Sequence, residues 1–181
     1  MRVFGLVGRS GSGKTTLIEK LLPALLDRRF TVSTMKHSHH HFDMDRPGKD
    51  SWRHREAGAA EVMVVSGERW ALLAEQRDER EPDVDALVAR MRPVDLLLIE
   101  GFRAHSHPKI EVFRPSTGKD LLWRPGSDIV AVASDAALPD VTVPVLDLDD
   151  VEAIADFIAA WGVRPPRHDL RALALAVGGA P

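Results

Sequence analysis

The chain has 181 residues, 44% of them hydrophobic, with Lys+Arg 24 against Asp+Glu 27 and a formal net charge of −3. That length suits one globular core, and the near-balanced charge offers no broad basic field for nucleic acid or an anionic membrane, so any anion must be held locally. Cysteine is absent, which excludes a disulfide framework and thiolate metal ligands; with no apolar run long enough for a signal core or a bilayer span, a cytoplasmic protein is expected.

Residues 3–7 are a short apolar run containing Gly5 and followed by Gly8, the pattern of a strand buried on both faces of a parallel sheet. Leu17, Ile18, Leu21, Leu22, Leu25 and Leu26 then recur at helical spacing. They predict an amphipathic helix to about Arg28, with Pro23 bending it or opening a hydrogen bond. Residues 30–35 alternate and are rich in β-formers, and a long polar loop with His37, His39, His40 and His41 follows. A short helix is predicted over 51–60, two strands over 61–65 and 69–74 about Ser66-Gly67, and a helix over 84–91. Residues 96–99 read as another fully buried strand, ending in Glu100-Gly101. Further strands are predicted at 109–113 and 129–133, and a last helix at 151–161 capped by Asp149 or Asp150. This alternation predicts an α/β, P-loop NTPase-like fold: a mostly parallel sheet flanked by helices on both faces, with an inserted antiparallel strand pair. The expected organisation is one nucleotide-binding domain over 1–162 and a partly flexible tail over 163–181.

Gly8-Arg9-Ser10-Gly11-Ser12-Gly13-Lys14-Thr15 has the spacing G-x-x-x-x-G-K-[ST] and lies between the first strand and the first helix, where that motif belongs. Glycines let successive N–H groups turn inward onto phosphate oxygens, and the helix N-terminus adds partial positive charge. Lys14 is assigned to the β and γ oxygens of a purine nucleoside triphosphate, the Thr15 hydroxyl to Mg²⁺, and Thr16 to the same cradle. Glu100, closing a buried strand, is the candidate second contact of the metal or its water, with Gly101 letting the chain turn there. Asp95, at the other end of that strand, reads as a solvated residue. In the polar loop Asp50 ranks first, where a switch segment would approach the γ-phosphate; Asp50-Ser51 reads also as a plain helix cap. Asp43 and Asp45 are candidates for Mg²⁺-bound water, and Lys49 and Arg53 for phosphate. His37, His39, His40 and His41 could bind a transition metal, although adjacent histidines in a strand alternate sides and a defined site wants fixed spacing with supporting hydrogen bonds. Catalytic expectation thus falls on Lys14, Asp50 and Glu100, and metal ligation on Thr15, Asp50 and Glu100. Arg103, His107 and Lys109 form a candidate second anion group.

These stretches together resemble a family. The phosphate loop with Thr15-Thr16, Lys36-His37-Ser38-His39-His40, Phe42-Asp43-Met44-Asp45, Pro47-Gly48-Lys49-Asp50-Ser51, Arg53-His54 with Ala57-Gly58-Ala59, Leu98-Ile99-Glu100-Gly101-Phe102 and Pro108-Lys109-Ile110-Glu111 resemble the molybdopterin-guanine dinucleotide biosynthesis protein B family, small GTP-binding adapters of molybdenum cofactor synthesis. The resemblance implies a homodimer of P-loop subunits that binds GTP with Mg²⁺ and hydrolyses it slowly at most. It also implies a partner guanylyltransferase that attaches GMP to molybdopterin. No N-K-x-D motif occurs, so the preference for GTP over ATP rests on the resemblance. Ser134-Asp135 is the candidate base reader, because a carboxylate there accepts from guanine N1 and N2; a capped strand end is the alternative. Two other classes share the phosphate loop. A small-molecule kinase is weakened by the scatter of Arg77, Arg80, Arg90 and Arg92, and a nickel-handling GTPase chaperone, suggested by the histidines, by the lack of cysteine.

Overall fold

In chain order the elements are β1 (Arg2–Val7), α1 (Lys14–Asp27), β2 (Val32–Lys36), α2 (Asp50–Glu56), β3 (Glu61–Val65), β4 (Trp70–Ala74), α3 (Val84–Arg90), β5 (Leu96–Glu100), β6 (Lys109–Phe113), β7 (Ile129–Ser134), β8 (Val145–Asp147) and α4 (Val151–Ala160). This computed structural model describes residues 1–38, 42–77 and 82–161. His39, His40, His41, Arg80 and the tail 163–181 therefore lie outside the described residues. Two units are formed, one on Met1–His37 and the chain from Pro93 onward, the other on Ser38–Arg92.

The first unit holds a six-stranded sheet in the order β2-β5-β1-β6-β7-β8, with every pairing parallel. All five residues of β5 and the last four of β1 are buried, as unbroken apolar runs in central parallel strands require. One face is covered by α1, which buries Leu17, Ile18, Leu21, Ala24 and Leu25, and by Ile154, Ala155 and Ile158 of α4. Leu26 is 55% exposed, contrary to the expected stripe: strict fours drift around a helix of 3.6 residues per turn, and Ala24 takes the inward position. Pro23 stands inside α1. Asp150 caps α4 by accepting from the Ala153 amide at 2.9 Å. On the opposite face Val7, Ile129 and Val132 are packed under Leu121, Leu122 and Trp123.

Asp95 is not the idle carboxylate expected. It accepts from the Thr31 amide at 2.8 Å and the Thr31 hydroxyl at 2.6 Å, tying the entry of β2 to that of β5, and these bonds hold its pKa below the usual carboxylate value. Gly5 marks a close approach: a Cβ there would stand 2.5 Å from His107 Nε2 and 2.9 Å from Lys109 Cγ.

In the second unit β3 and β4 pair antiparallel, Glu61 opposite Ala74 and Val65 opposite Trp70. The Ser66 hydroxyl shapes the turn by accepting from Arg69 N at 3.2 Å. Arg55 on α2 reaches Asp43 at 2.9 Å, Asp45 at 3.4 Å and Glu75 at 2.9 Å. Asp43 and Asp45, expected as partners of metal-bound water, are engaged in this internal ion network. No helix among the described residues is long and apolar enough to cross a membrane.

Candidate functional site

After Val7 the chain turns through the glycine loop into α1. Gly8, Gly11 and Gly13 take φ of 148°, 84° and 97°, which an L side chain resists; a Cβ on Gly8 would also collide with the Val112 carbonyl. Gly13 precedes α1 without a side-chain cap, so the first amides of the helix stay open, the arrangement that receives anions. Lys14 Nζ folds back onto the Arg9 carbonyl at 3.1 Å, and Lys119 Nζ donates to the Ser10 carbonyl at 2.6 Å. The Ser12 hydroxyl is buried with no hydrogen-bond partner. A buried polar atom of this kind calls for a partner from outside the protein.

Glu100 ends β5 level with Leu6 of β1 and Lys36 of β2. The Thr15 hydroxyl donates to its carboxylate at 3.2 and 3.3 Å, and Lys36 Nζ lies 3.5 Å away. Beyond it, Gly101 has φ 98° and Phe102 φ 46°, so the chain doubles back and the Phe102 ring stacks on His37 with centroids 4.4 Å apart. A Cβ on Gly101 would meet the His37 Cβ at 2.9 Å, which is why this turn needs glycine. Burial lowers the Lys14 pKa; Glu100 opposes the shift, while the positive charges of Lys36, Lys119 and Arg103 add to it. Four cations thus converge on the loop around one carboxylate. Lys119 carried no sequence signal at all, and Lys36 only its place in a family-like stretch.

The donor set suits Mg²⁺. A hydroxyl and a carboxylate within 3.3 Å of each other are hard oxygen ligands, and Mg²⁺ takes few of these from protein, completing its shell with phosphate and water. Among the described residues no three His, Asp or Glu gather into an all-protein metal site.

Asp50 belongs to the other unit. It is the first residue of α2, with Lys49 rather than Asp50 at the N-cap position and no side-chain cap bond. Its side chain is 92% exposed and 4.0 Å from Arg53. Asp135 follows β7 and pairs with Arg114 at 2.6 Å, lining with Ser134 and Asp147 a cavity of about 260 Å³ at the carboxyl ends of β7 and β8. Arg114 Nε lies 3.7 Å from where a Cβ on Gly13 would stand, so the same guanidinium borders the phosphate loop.

The expected anion group of Arg103, His107 and Lys109 is only partly assembled. His107 is buried, and its pKa is pushed down to about 4 by burial first, then by Lys109 and His105; at neutral pH it is an uncharged ring. Lys109 Nζ donates to the His105 carbonyl at 2.5 Å and the His107 carbonyl at 2.9 Å, with Asp128 at 3.6 Å, so its donors are turned to protein. Buried Glu111 was quoted only as part of a motif. Its two oxygens accept from the Leu122 and Trp123 amides at 2.7 Å each, fixing that segment over the sheet, and burial raises its pKa.

A glycine loop leading from the central strand of a parallel sheet into α1, with an acid closing the neighbouring strand, defines a P-loop NTPase-like protein. The model of the family described as "Molybdopterin guanine dinucleotide synthesis protein B" matches residues 3–135. The chain is 45% identical over 157 residues to the molybdopterin-guanine dinucleotide biosynthesis adapter protein of Escherichia coli (strain K12), covering 84% of this chain and 88% of that one. To the adapter protein of the same name from Haemophilus influenzae it is 42% identical over 161 residues, covering 88% of each. A crystal structure of molybdopterin-guanine biosynthesis protein B superposes with a TM-score of 0.68 at 30% identity, over 87% of this chain and 97% of that one. The chain belongs to the molybdopterin guanine dinucleotide synthesis protein B family.

Proposed function

We propose that the chain binds GTP with Mg²⁺ in the loop of Gly8, Arg9, Ser10, Gly11, Ser12, Gly13, Lys14, Thr15 and Thr16, and serves as an adapter in molybdopterin guanine dinucleotide synthesis. The observation that carries this reading is the Thr15–Glu100 contact of 3.2 Å at the mouth of an uncapped α1, where a nucleotide-bound metal needs its two protein oxygens. Lys14 would leave the Arg9 carbonyl for the β and γ oxygens. Lys36 and Lys119 neutralise the rest of the triphosphate. Asp135 is assigned to the guanine edge, which requires its carboxylate to exchange Arg114 for the base N1 and N2 donors.

Competition of GTP against ATP by titration calorimetry in Mg²⁺ tests the binding. Lys14→Ala should weaken GTP by about 1.5–3 kcal/mol, the scale of a charge-assisted contact, and unchanged affinity would contradict the assignment. The adapter role is supported by the names of the relatives at 45% and 42% identity; its partner is a guanylyltransferase acting on molybdopterin. A homodimer is part of the same reading. Met63, Val65 and Trp70 on the β3–β4 pair are 57%, 67% and 57% exposed, an apolar surface that a second copy would cover.

A further inference from the structure

A second cavity, of about 800 Å³, opens on the sheet face away from α1 and α4, lined among others by Arg9, Arg103, Lys109, Trp123, Arg124 and Asp128. We propose that it is a second anion site, for an organic phosphate carrying a planar ring. The volume falls in the range of small-molecule clefts and far exceeds the voids that close packing leaves. Four cationic side chains face one carboxylate, Asp128, in its lining, with Glu111 buried behind the wall. Lys109 spends its donors on the His105 and His107 carbonyls, so it contributes field, while the exposed guanidiniums of Arg103 and Arg124 are the groups able to grip a phosphate bidentately. Half-buried Trp123 stands in the same wall, its backbone pinned by Glu111 at 2.7 Å, and offers a flat apolar surface for stacking.

The triphosphate reading does not fill this space. The cavity touches Val7 and Arg9, where the phosphate loop starts, and runs from there to Lys109 and Ile129, which begin β6 and β7, whereas Asp135 stands just beyond the carboxyl end of β7. Arg9 belongs to both the loop and the lining, so the two ligands would sit side by side. The assignment goes beyond the nucleotide reading and stands apart from it.

Flavin mononucleotide is a suitable probe, since it joins a phosphate to a fluorescent planar ring. It is titrated into the full chain with the phosphate loop saturated by Mg²⁺ and a non-hydrolysable GTP analogue, alongside riboflavin and inorganic phosphate. The proposal expects flavin mononucleotide to bind with quenched fluorescence, and riboflavin and inorganic phosphate each at least tenfold more weakly. Arg124→Glu should weaken the probe at least tenfold and leave GTP affinity within twofold, whereas Lys14→Ala should weaken GTP at least tenfold and keep the probe. No probe binding with the loop filled, one-for-one displacement by the GTP analogue, equal binding of inorganic phosphate, or indifference to Arg124→Glu would each overturn it. Loss of GTP binding in the wild type with the probe retained would sink the nucleotide reading alone.

Discussion

Glu100 carries two jobs at once: its carboxylate accepts from the Thr15 hydroxyl at 3.2 Å and holds Lys36 at 3.5 Å. Glu100→Gln keeps the shape and removes the charge, so GTP affinity in Mg²⁺ should fall roughly 10- to 100-fold, on the scale of a lost charge-assisted contact. In EDTA the variant and the wild type should bind alike, and calorimetry with and without the metal separates the two cases. His107 sets a different test. Its folded-state pKa of about 4 lies below the ordinary histidine value of 6.5, so as pH falls from 6.5 the unfolded chain takes up the proton first. Stability is lost progressively down to pH about 4, by up to about 3 kcal/mol. Urea unfolding at pH 7 and pH 4.5 should show this loss in the wild type and a smaller one in His107→Gln. The phosphate loop was legible because its spacing is local. The misreading of His107 as an anion partner has a physical cause: burial beside Gly5 is a tertiary fact, and so is the arrival of Lys119 at the Ser10 carbonyl from 109 positions away.

Among the elements, those with a clear apolar run or a cap were readable, and the shortest strand was not. β5, β6 and α4 fall within a residue of expectation because their apolar runs and the Asp150 cap are strong local signals. β8 was missed: three residues, with only Leu146 buried among them, leave no period to detect. The entry of β2 lies at Val32 rather than Phe30, with Thr31 just ahead of it tied to Asp95 through its amide and hydroxyl. Gly5→Ala should destabilise the chain by about 1–3 kcal/mol, since the new methyl has to displace His107 or Lys109 within a packed sheet; a thermal shift measurement at neutral pH reads it. For β3–β4, Val65→Glu with Trp70→Glu should convert a homodimer to monomer in light-scattering chromatography, with GTP binding kept. An unchanged mass would remove this pair from the interface.

At the scale of the whole molecule, the sheet order β2-β5-β1-β6-β7-β8 explains why one rim carries the candidate site. β1 sits where the chain departs to opposite sides, towards β5 and β6, and ligands of such sheets bind in the crevice at the carboxyl ends around that point. Thr15, Glu100, Lys36 and Asp135 all stand at or just after those ends in the first unit, while Asp50 stands on α2 of the second. The strand alternation announced this architecture, but the order of strands, and hence the meeting of Lys36 with Glu100, is settled only by packing. The central claim is that GTP held in this loop lets the chain assist guanylation. Its most direct test is the rate at which the partner guanylyltransferase forms molybdopterin guanine dinucleotide with wild-type chain, with Lys14→Ala, or with neither. The rate should rise with wild type alone; equal rates in all three would contradict a GTP-dependent role.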